Sequence, residues 1–197
     1  MRSRRFTTRN GTELAFSALG LGTAPLGDLY ELLDEKTCIV TIEQAYASGV
    51  RVFDTSPHYG NGLAEARVGG GLRHLPRQDV IVSTKIGRVM DAFAKPPPKN
   101  PEVFSPGFAG GHPHAPRFDY SYDGTMRSVE QSLLRTGLDR LEILLIHDCD
   151  VWTHGPVDAP VRFKEVMEGA YKALERLRSE RIVAAIEFGI NESHIPV

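Results

Sequence analysis

The sequence has few cysteines, no long apolar run and almost no net charge. Its two cysteines, Cys38 and Cys149, form no CxxC pair, which is typical of reduced thiols in a cytosolic protein. No apolar run approaches the roughly 20 residues of a membrane-spanning helix, and the basic residues 1–8 lack the apolar segment of a secretory signal. With a formal net charge of −2, nothing favours a nucleic acid or a membrane as partner. We expect a cytoplasmic protein.

The composition is that of an ordinary globular domain. The chain has 197 residues, of which 41% are hydrophobic and 24% charged, so it is long enough to bury a sizeable core. It contains no sequence repeat and no linker between two domains. We therefore expect a single domain over residues 1–197.

Strand and helix patterns alternate along the chain. Residues 5–19 predict a hairpin that turns at Asn10-Gly11. The segments that follow are predicted as a strand in 19–27, a helix at 34–49, a strand at 50–54, a helix at 62–74, a strand at 79–85, a helix ending at Gly137, a strand at 141–148, a helix around 166–177 and a strand at 181–191. Such alternation predicts parallel strands with helical crossovers, hence the α/β class. The pattern alone is compatible with both a doubly wound sheet and a (β/α)₈ barrel.

Three consecutive apolar strands end on an ionisable residue: Asp54, Lys85 and His147. The carboxyl ends of parallel strands are where α/β proteins, and barrels above all, build their active sites. A buried charge is costly unless it is paired, so we expect Asp54 and Lys85 to meet across strands about 4.8 Å apart. The alternative is that Asp54 serves turn formation in Asp-Thr-Ser-Pro and Tyr59 covers an apolar surface. The three strand ends together favour a site.

Tyr59 adds a proton donor to this set. A free tyrosine has a pKa of about 10, and a nearby lysine ammonium favours the phenolate, while an aspartate positions that lysine. His147 can donate a hydrogen bond to a carbonyl or alkoxide oxygen. Such a site can move a proton on or off an oxygen, and it needs a bound electron carrier to do redox chemistry.

These segments resemble the aldo-keto reductase family. The resemblance is carried by FDTSPHYG at 53–60, the strand end STK at 83–85 and LLIHD at 144–148, and it extends over roughly residues 5–192. The family's Asp-Tyr-Lys-His catalytic set matches Asp54, Tyr59, Lys85 and His147, in that order. Residues 118–151 and 184–192 are similar to the branch that contains aldose, fucose or galactose dehydrogenases and pyridoxal 4-dehydrogenase.

The resemblance implies a (β/α)₈ barrel with the hairpin covering its bottom. It implies hydride transfer between NAD or NADP and a carbonyl or hemiacetal carbon, with Tyr59 as general acid/base. Asn191 matches a family residue that contacts the nicotinamide carboxamide, and Asp54 also lies on the cofactor side. The implied substrate is a small polar aldehyde, an aldose or a similar alcohol. His58 and Trp152 are candidate pocket residues, although a surface turn and plain packing explain them equally well.

The chain departs from the family in length. We count about five strands where a complete barrel has about eight, and the segments that hold most of the cofactor in the family have no counterpart. We therefore expect an incomplete barrel with an exposed edge, which self-association would cover. A truncated product, a fragment, and a non-catalytic binding or regulatory protein of this fold all remain open. Glu187, where the family usually has Gly, is expected to face water or a charged partner.

A long segment, residues 86–122, follows Lys85 and holds more than half of the chain's 13 prolines. Because it leaves the carboxyl end of a strand, we expect a lid over the site; a loop without a role is the alternative. Its His112-Pro113-His114, and residues 147–150, raise the alternative of a metal-dependent hydrolase. We expect no metal, because proline-rich loop residues are poor at holding ligands rigidly.

Overall fold

The computed structural model describes residues 1–95 and 107–191. In chain order its elements are β1 (Ser3–Thr7), β2 (Glu13–Ser17), β3 (Gly20–Gly22), α1 (Glu35–Ala47), β4 (Val52–Asp54), α2 (Leu63–Leu72), β5 (Ile81–Ile86), β6 (Arg88–Asp91), β7 (Ala115–Phe118), α3 (Tyr122–Thr136), β8 (Ile143–His147), α4 (Val151–Glu165), α5 (Tyr171–Ser179) and β9 (Ala185–Gly189). A π-helical segment, Val166–Ala170, joins α4 to α5, and 3₁₀ turns occupy Pro25–Gly27 and Arg77–Asp79.

Five parallel strands form the main sheet, in the order β3-β4-β5-β8-β9. Helices α1, α2 and α3 and the α4–α5 pair connect successive strands of this sheet. The arrangement is part of a (β/α)₈ barrel, which confirms the predicted class. Among the described residues, β3 and β9 each have a neighbouring strand on one side only.

The strand register decides which side chains face the barrel interior. Residues paired across parallel strands point to the same side of the sheet. Asp54 pairs with Ser83, Lys85 with Leu145, and His147 with Gly189. These positions alternate with side chains that are buried under the helices. The three ionisable strand ends therefore share the interior face, at the carboxyl edge of the sheet.

The hydrophobic core lies between the outer face of the sheet and the helices. Its fully buried side chains include Phe53 of β4, Leu144 of β8, Ile42 of α1, Leu72 of α2 and Leu174 of α5. Each such side chain contributes about 1.5–3 kcal/mol on burial. This packing holds the strands that carry the ionisable residues.

The hairpin β1–β2 closes the opposite end of the interior. Its strands pair antiparallel around Asn10-Gly11, as predicted. Leu14 and Phe16 of β2 pack against Ile81, the first residue of β5, and against Ala184, which directly precedes β9. The hairpin therefore lies at the barrel bottom, away from the carboxyl edge.

Helix ends follow the capping residues in the sequence. Asp34 caps α1 by accepting a hydrogen bond from the Thr37 backbone N–H at 2.9 Å. Gly137 ends α3 with φ 63°, a left-handed conformation that glycine adopts without strain.

The segment predicted as a loop over 86–122 contains two strands. β6 and β7 pair antiparallel, with Arg88 opposite Phe118. The side chain of Gln131, from α3, bonds to both the N–H and the C=O of Met90 and so supports β6. Because the two short strands are far apart in sequence, they leave no local hairpin pattern. Residues 96–106, including Pro96-Pro97-Pro98, lie outside the described residues.

The sequence pattern also missed α4, since helix was predicted only around 166–177. Asp150 caps α4 by accepting from the Thr153 N–H at 2.9 Å. Gly155 interrupts the helix with φ 73° and ψ 166°, and Pro156 and Pro160 follow it. These residues hide the helical pattern in the sequence.

Glu187, the residue that departs from the family pattern, lies in β9 with its side chain exposed. It pairs in register with Leu145, so it faces the interior side of the sheet. The expectation that it faces water is confirmed. No helix in the described part of the chain is long and apolar enough to cross a membrane.

Candidate active site

Asp54 and Lys85 form an ion pair at the carboxyl edge of neighbouring strands. The Lys85 Nζ lies 2.6 Å from Asp54 Oδ2 and donates a second hydrogen bond to the Thr55 carbonyl oxygen at 2.9 Å. The Ser83 hydroxyl donates to the other Asp54 oxygen, Oδ1, at 2.6 Å. The lysine side chain is 7% exposed and the aspartate side chain 36%. The predicted pairing is confirmed, and it fixes the ammonium in a nearly buried position.

Tyr59 lies beside this ammonium. The Lys85 Nζ is 4.8 Å from the centroid of the Tyr59 ring. The turn that carries Tyr59 packs directly on Gly27, where an added Cβ would come within 2.6 Å of the Tyr59 carbonyl carbon. Since only glycine fits there, the sequence at Gly27 helps to set the position of the tyrosine.

His147 completes the cluster at the end of β8. Its ring lies 6.2 Å from the Tyr59 ring, centroid to centroid, and nearly perpendicular to it at 86°. The described structure therefore brings Asp54, Tyr59, Lys85 and His147 together, as the sequence led us to expect. Their catalytic roles remain predictions.

The environment of His147 favours the uncharged ring. Burial, followed by the neighbouring Arg88 and Lys85 charges, holds the pKa of His147 well below its usual value. At Nδ1 the ring meets Arg88 Nη1 at 3.1 Å and the Ser56 hydroxyl at 3.2 Å. His147 is consequently neutral at neutral pH and able to donate one hydrogen bond.

Arg88, the third residue after Lys85, is a site residue that sequence reasoning missed. Its guanidinium is 2.7 Å from the Asp148 carboxylate, and both side chains are less than a tenth exposed. Its Cζ also lies 4.3 Å from the centroid of the Phe118 ring. The buried guanidinium thus has an ionic partner and an aromatic partner next to His147.

Asn191 is connected to the same network. Its side-chain Nδ2 lies 3.3 Å from Asp148 Oδ1, and its backbone N–H donates to Asp150 Oδ2 at 3.0 Å. Asp148 has φ 52°, a left-handed conformation that aspartate tolerates better than most residues. The turn after β8 and the end of β9 are therefore tied together at the site.

His58 and Phe108 form an aromatic wall beside Tyr59. The His58 ring lies 5.4 Å from Phe108 and 6.1 Å from His147, and Phe108 lies 6.3 Å from Tyr59, all between centroids. Burial, with a smaller effect of the Arg88 charge, lowers the pKa of His58 to about 3. Its buried Nδ1 has no hydrogen-bond partner among the described residues. His58 therefore lies beside the ionisable cluster, and its role as a pocket residue stays a prediction.

Trp152, the other pocket candidate, lies in the first turn of α4 and is 68% exposed. No aromatic contact joins it to the described rings of the cluster. Its role as a pocket residue stays a prediction.

The histidines of the long segment lie close together. The rings of His112 and His114 are 5.8 Å apart. Within residues 1–95 and 107–191, no group of three or more His, Cys, Asp or Glu side chains is arranged to hold a metal ion.

A cavity of about 430 Å³ opens at the hairpin, lined by residues such as Arg2, Arg4 and Phe16. It lies at the barrel bottom, whereas the ionisable cluster lies at the carboxyl edge. We place the candidate active site at the cluster, because its buried charges and uncharged histidine are the groups suited to proton chemistry.

Some of these residues carried a signal in the sequence. Ser56 stands inside the segment 53–60 that contains Asp54 and Tyr59. Arg88 directly follows Gly87, close to the carboxyl end of the strand that carries Lys85. Phe108 carried none, since it lies in a proline-rich segment far from any strand end.

The residues present fit the nicotinamide end of a dinucleotide. Asn191 donates through Nδ2 to Asp148, while its Oδ1 accepts no hydrogen bond from the described residues. An unpaired amide oxygen can accept from a carboxamide N–H. None of the described residues is one that the resemblance assigns to the pyrophosphate or the adenosine.

Comparisons with known proteins give a consistent result. Residues 18–192 match the model of the Aldo/keto reductase family. Pyridoxal 4-dehydrogenase of Microbacterium luteolum is 37% identical over 190 residues, covering 93% of this chain and 55% of that protein. D-threo-aldose 1-dehydrogenase of a Pseudomonas species is 35% identical over 182 residues, covering 89% of this chain and 50% of that protein.

A solved structure agrees in fold. The holo form of an aldo-keto reductase from Bacillus halodurans aligns with a TM-score of 0.64 and 23% identity, covering 96% of this chain and 51% of that chain. This chain therefore spans about half the length of the curated relatives it matches. The family match over most of the sequence leads to one conclusion: the chain belongs to the aldo/keto reductase family.

Proposed function

We propose that this protein is an NAD(P)-dependent oxidoreductase that interconverts a carbonyl and its alcohol or hemiacetal. The observation that carries the proposal is the Lys85 ammonium, bound to Asp54 at 2.6 Å and lying over the Tyr59 ring. An uncharged histidine stands next to them. In a member of this family, that set suits proton transfer to and from a substrate oxygen.

In reduction, the Tyr59 hydroxyl donates its proton to the carbonyl oxygen. The Lys85 ammonium stabilises the phenolate that is left, and Asp54 keeps the ammonium in place. His147, being neutral, donates a hydrogen bond to the same oxygen and orients the carbonyl. In oxidation the phenolate takes the proton back.

The cofactor, NAD or NADP, supplies or accepts the hydride when bound. Asn191 and Asp54 are the described residues that would hold its nicotinamide end.

The substrate class we propose is a small polar aldehyde, an aldose or a pyridoxal-like compound. Two relatives are named for pyridoxal and for a D-threo-aldose. The aromatic wall of His58 and Phe108 supports this class, because aromatic faces stack on planar rings and pack against the C–H face of a sugar. Trp152 is a further candidate for such contact.

We include in the proposal that the described parts of the long segment, residues 86–95 and 107–122, cover the site. Phe108, from the described part of this segment, lies against both His58 and Tyr59.

A cytoplasmic location is also proposed, supported by Cys38 and Cys149, which are both free and buried.

The alternative is a non-catalytic binding or regulatory protein of the same fold. It is favoured by the length of the chain, about half that of its relatives. Calorimetric titration with NAD⁺ and NADP⁺ separates the two. Micromolar binding to either supports the oxidoreductase, whereas a folded chain that binds neither supports the alternative.

The second test is Tyr59→Phe, which removes one hydroxyl and keeps the ring. Turnover of an aldose or of pyridoxal falls by about 100-fold or more if Tyr59 is the general acid/base. Tyr171→Phe, on the half-buried surface of α5, is the matched control. Unchanged turnover in Tyr59→Phe contradicts the proposed role.

A further inference from the structure

Arg88 occupies an unusual position for a residue outside the Asp-Tyr-Lys-His set. Its side chain is 8% exposed and lies at the start of β6, immediately beside the interior face of the main sheet. The Ser128 hydroxyl of α3 donates to its carbonyl oxygen at 3.0 Å and so fixes its backbone. Buried arginines are rare unless they are paired, and here the pairing involves the turn that follows His147.

The contacts of Arg88 constrain the His147 ring. A guanidinium has N–H donors and no acceptor, so the 3.1 Å contact from its Nη1 makes His147 Nδ1 the acceptor. The Ser56 hydroxyl, 3.2 Å from Nδ1, accepts the His58 backbone N–H at 3.1 Å and has its own proton free to donate. With two donors at Nδ1, the neutral ring carries its proton on Nε2.

Asp148 connects this arrangement to the rest of the site. Its Oδ2 pairs with Arg88 at 2.7 Å, while its Oδ1 lies 3.4 Å from His147 Nε2. The latter distance is longer than an ordinary N–H···O hydrogen bond, so the Nε2 proton remains available to a substrate oxygen. Because the Arg88 guanidinium pairs with the Asp148 carboxylate, that carboxylate attracts a proton on the His147 ring less strongly.

We propose that Arg88, held by Asp148, is a positioning residue that keeps His147 uncharged with its single proton on Nε2. The inference rests on the function proposed above, since it assigns that proton to the hydrogen bond with the substrate oxygen. The charged or titratable groups that face the ring are Arg88 from β6, Lys85 from β5, His58 and Tyr59 from the turn after β4, and Asp148. Of these, Asp148 is the only one among the described residues that favours the charged ring.

The first test is the tautomer of His147, read from ring ¹⁵N chemical shifts of the 197-residue chain at neutral pH. The resonance is identified by its loss in His147→Gln. Protonation on Nε2 alone is the expected result. A proton on Nδ1, or on both nitrogens, overturns the proposal without reference to any enzymatic activity. This measurement therefore fails independently of the proposed function.

The second test removes the cation. In Arg88→Gln, Asp148 loses its ionic partner and faces His147, so the pKa of the ring rises. The double variant Arg88→Gln/Asp148→Asn removes both charges; it avoids an unpaired buried carboxylate and remains suitable where the single variant does not fold. In the double variant we expect both tautomers of the neutral His147 ring, with the proton on Nδ1 in one and on Nε2 in the other. A pKa and tautomer equal to those of the wild type in a folded variant overturn the proposal.

Activity distinguishes positioning from a structural role. Arg88→Gln lowers kcat/KM by about 100-fold, mostly through kcat, and Arg88→Lys restores part of it by restoring the charge and one donor. Arg117→Gln is the matched control, because Arg117 lies on the partner strand β7 and pairs with Asp119 at 2.9 Å, at 55% exposure. Equal effects of the two glutamine variants on the His147 resonances overturn the proposal.

Discussion

At the scale of single residues, the site depends on a buried ammonium next to a phenol. Lys85→Met keeps most of the side-chain volume, leaves the Asp54 carboxylate without its ionic partner, and removes the cation that stabilises the Tyr59 phenolate. We expect kcat/KM for carbonyl reduction to fall by about 100-fold or more. Steady-state kinetics checks this, with Lys172→Met on the exposed surface of α5 as control. Comparable losses in both variants would contradict a specific role for Lys85.

A second residue-scale prediction concerns His58. Its pKa is about 3 in the folded protein and about 6.5 when unfolded, so between these values the unfolded chain binds the extra proton. Folding stability therefore falls as the pH drops through this window, and is unaffected by His58 above it. Urea unfolding at pH 7 and pH 5 measures the loss, which should be smaller in His58→Gln by about 2 kcal/mol. His74→Gln, at an exposed position, should lose as much as the wild type.

At the scale of elements, the sequence was informative where a pattern is local. The strand ends Asp54, Lys85 and His147 could be predicted from the sequence alone. In each strand the apolar run ends and an ionisable residue appears at the same position. The β6–β7 pair could not, since its register depends on residues far apart in the chain and on support from Gln131. For the same reason Arg88 was missed: its burial follows from the fold of β6 onto Asp148.

Two adjacent glycines in α2 give an element-scale prediction. A Cβ on Gly69 would lie 1.8 Å from the Thr136 carbonyl oxygen of α3, whereas a Cβ on Gly70 would meet the movable end of Ile39 at 2.8 Å. Gly69→Ala therefore forces the two helices apart and lowers the free energy of unfolding by about 1–3 kcal/mol. In Gly70→Ala the gain of about 1 kcal/mol in helix propensity offsets the adjustment of Ile39. Chemical denaturation of both variants decides; equal destabilisation would show that the α2–α3 contact is not the constraint.

At the scale of the whole molecule, the five-stranded sheet has an interior face that its described residues leave partly open. Ile143, Leu145 and Ala185 point to this side and are only half-buried, and β3 and β9 have free edges within the described chain. Apolar surface and unpaired strand edges of this kind favour association between chains.

We therefore expect the 197-residue chain to self-associate between micromolar and millimolar concentration. Sedimentation velocity over a concentration series measures the sizes. Ala185→Lys places a charge on β9, at the open face, and should shift the distribution towards the monomer, because desolvating that ammonium opposes association. Ala92→Lys adds the same charge at an exposed position after β6 and should leave the distribution unchanged. A single monomeric species at every concentration would mean that the open face is tolerated in water without a second copy to cover it.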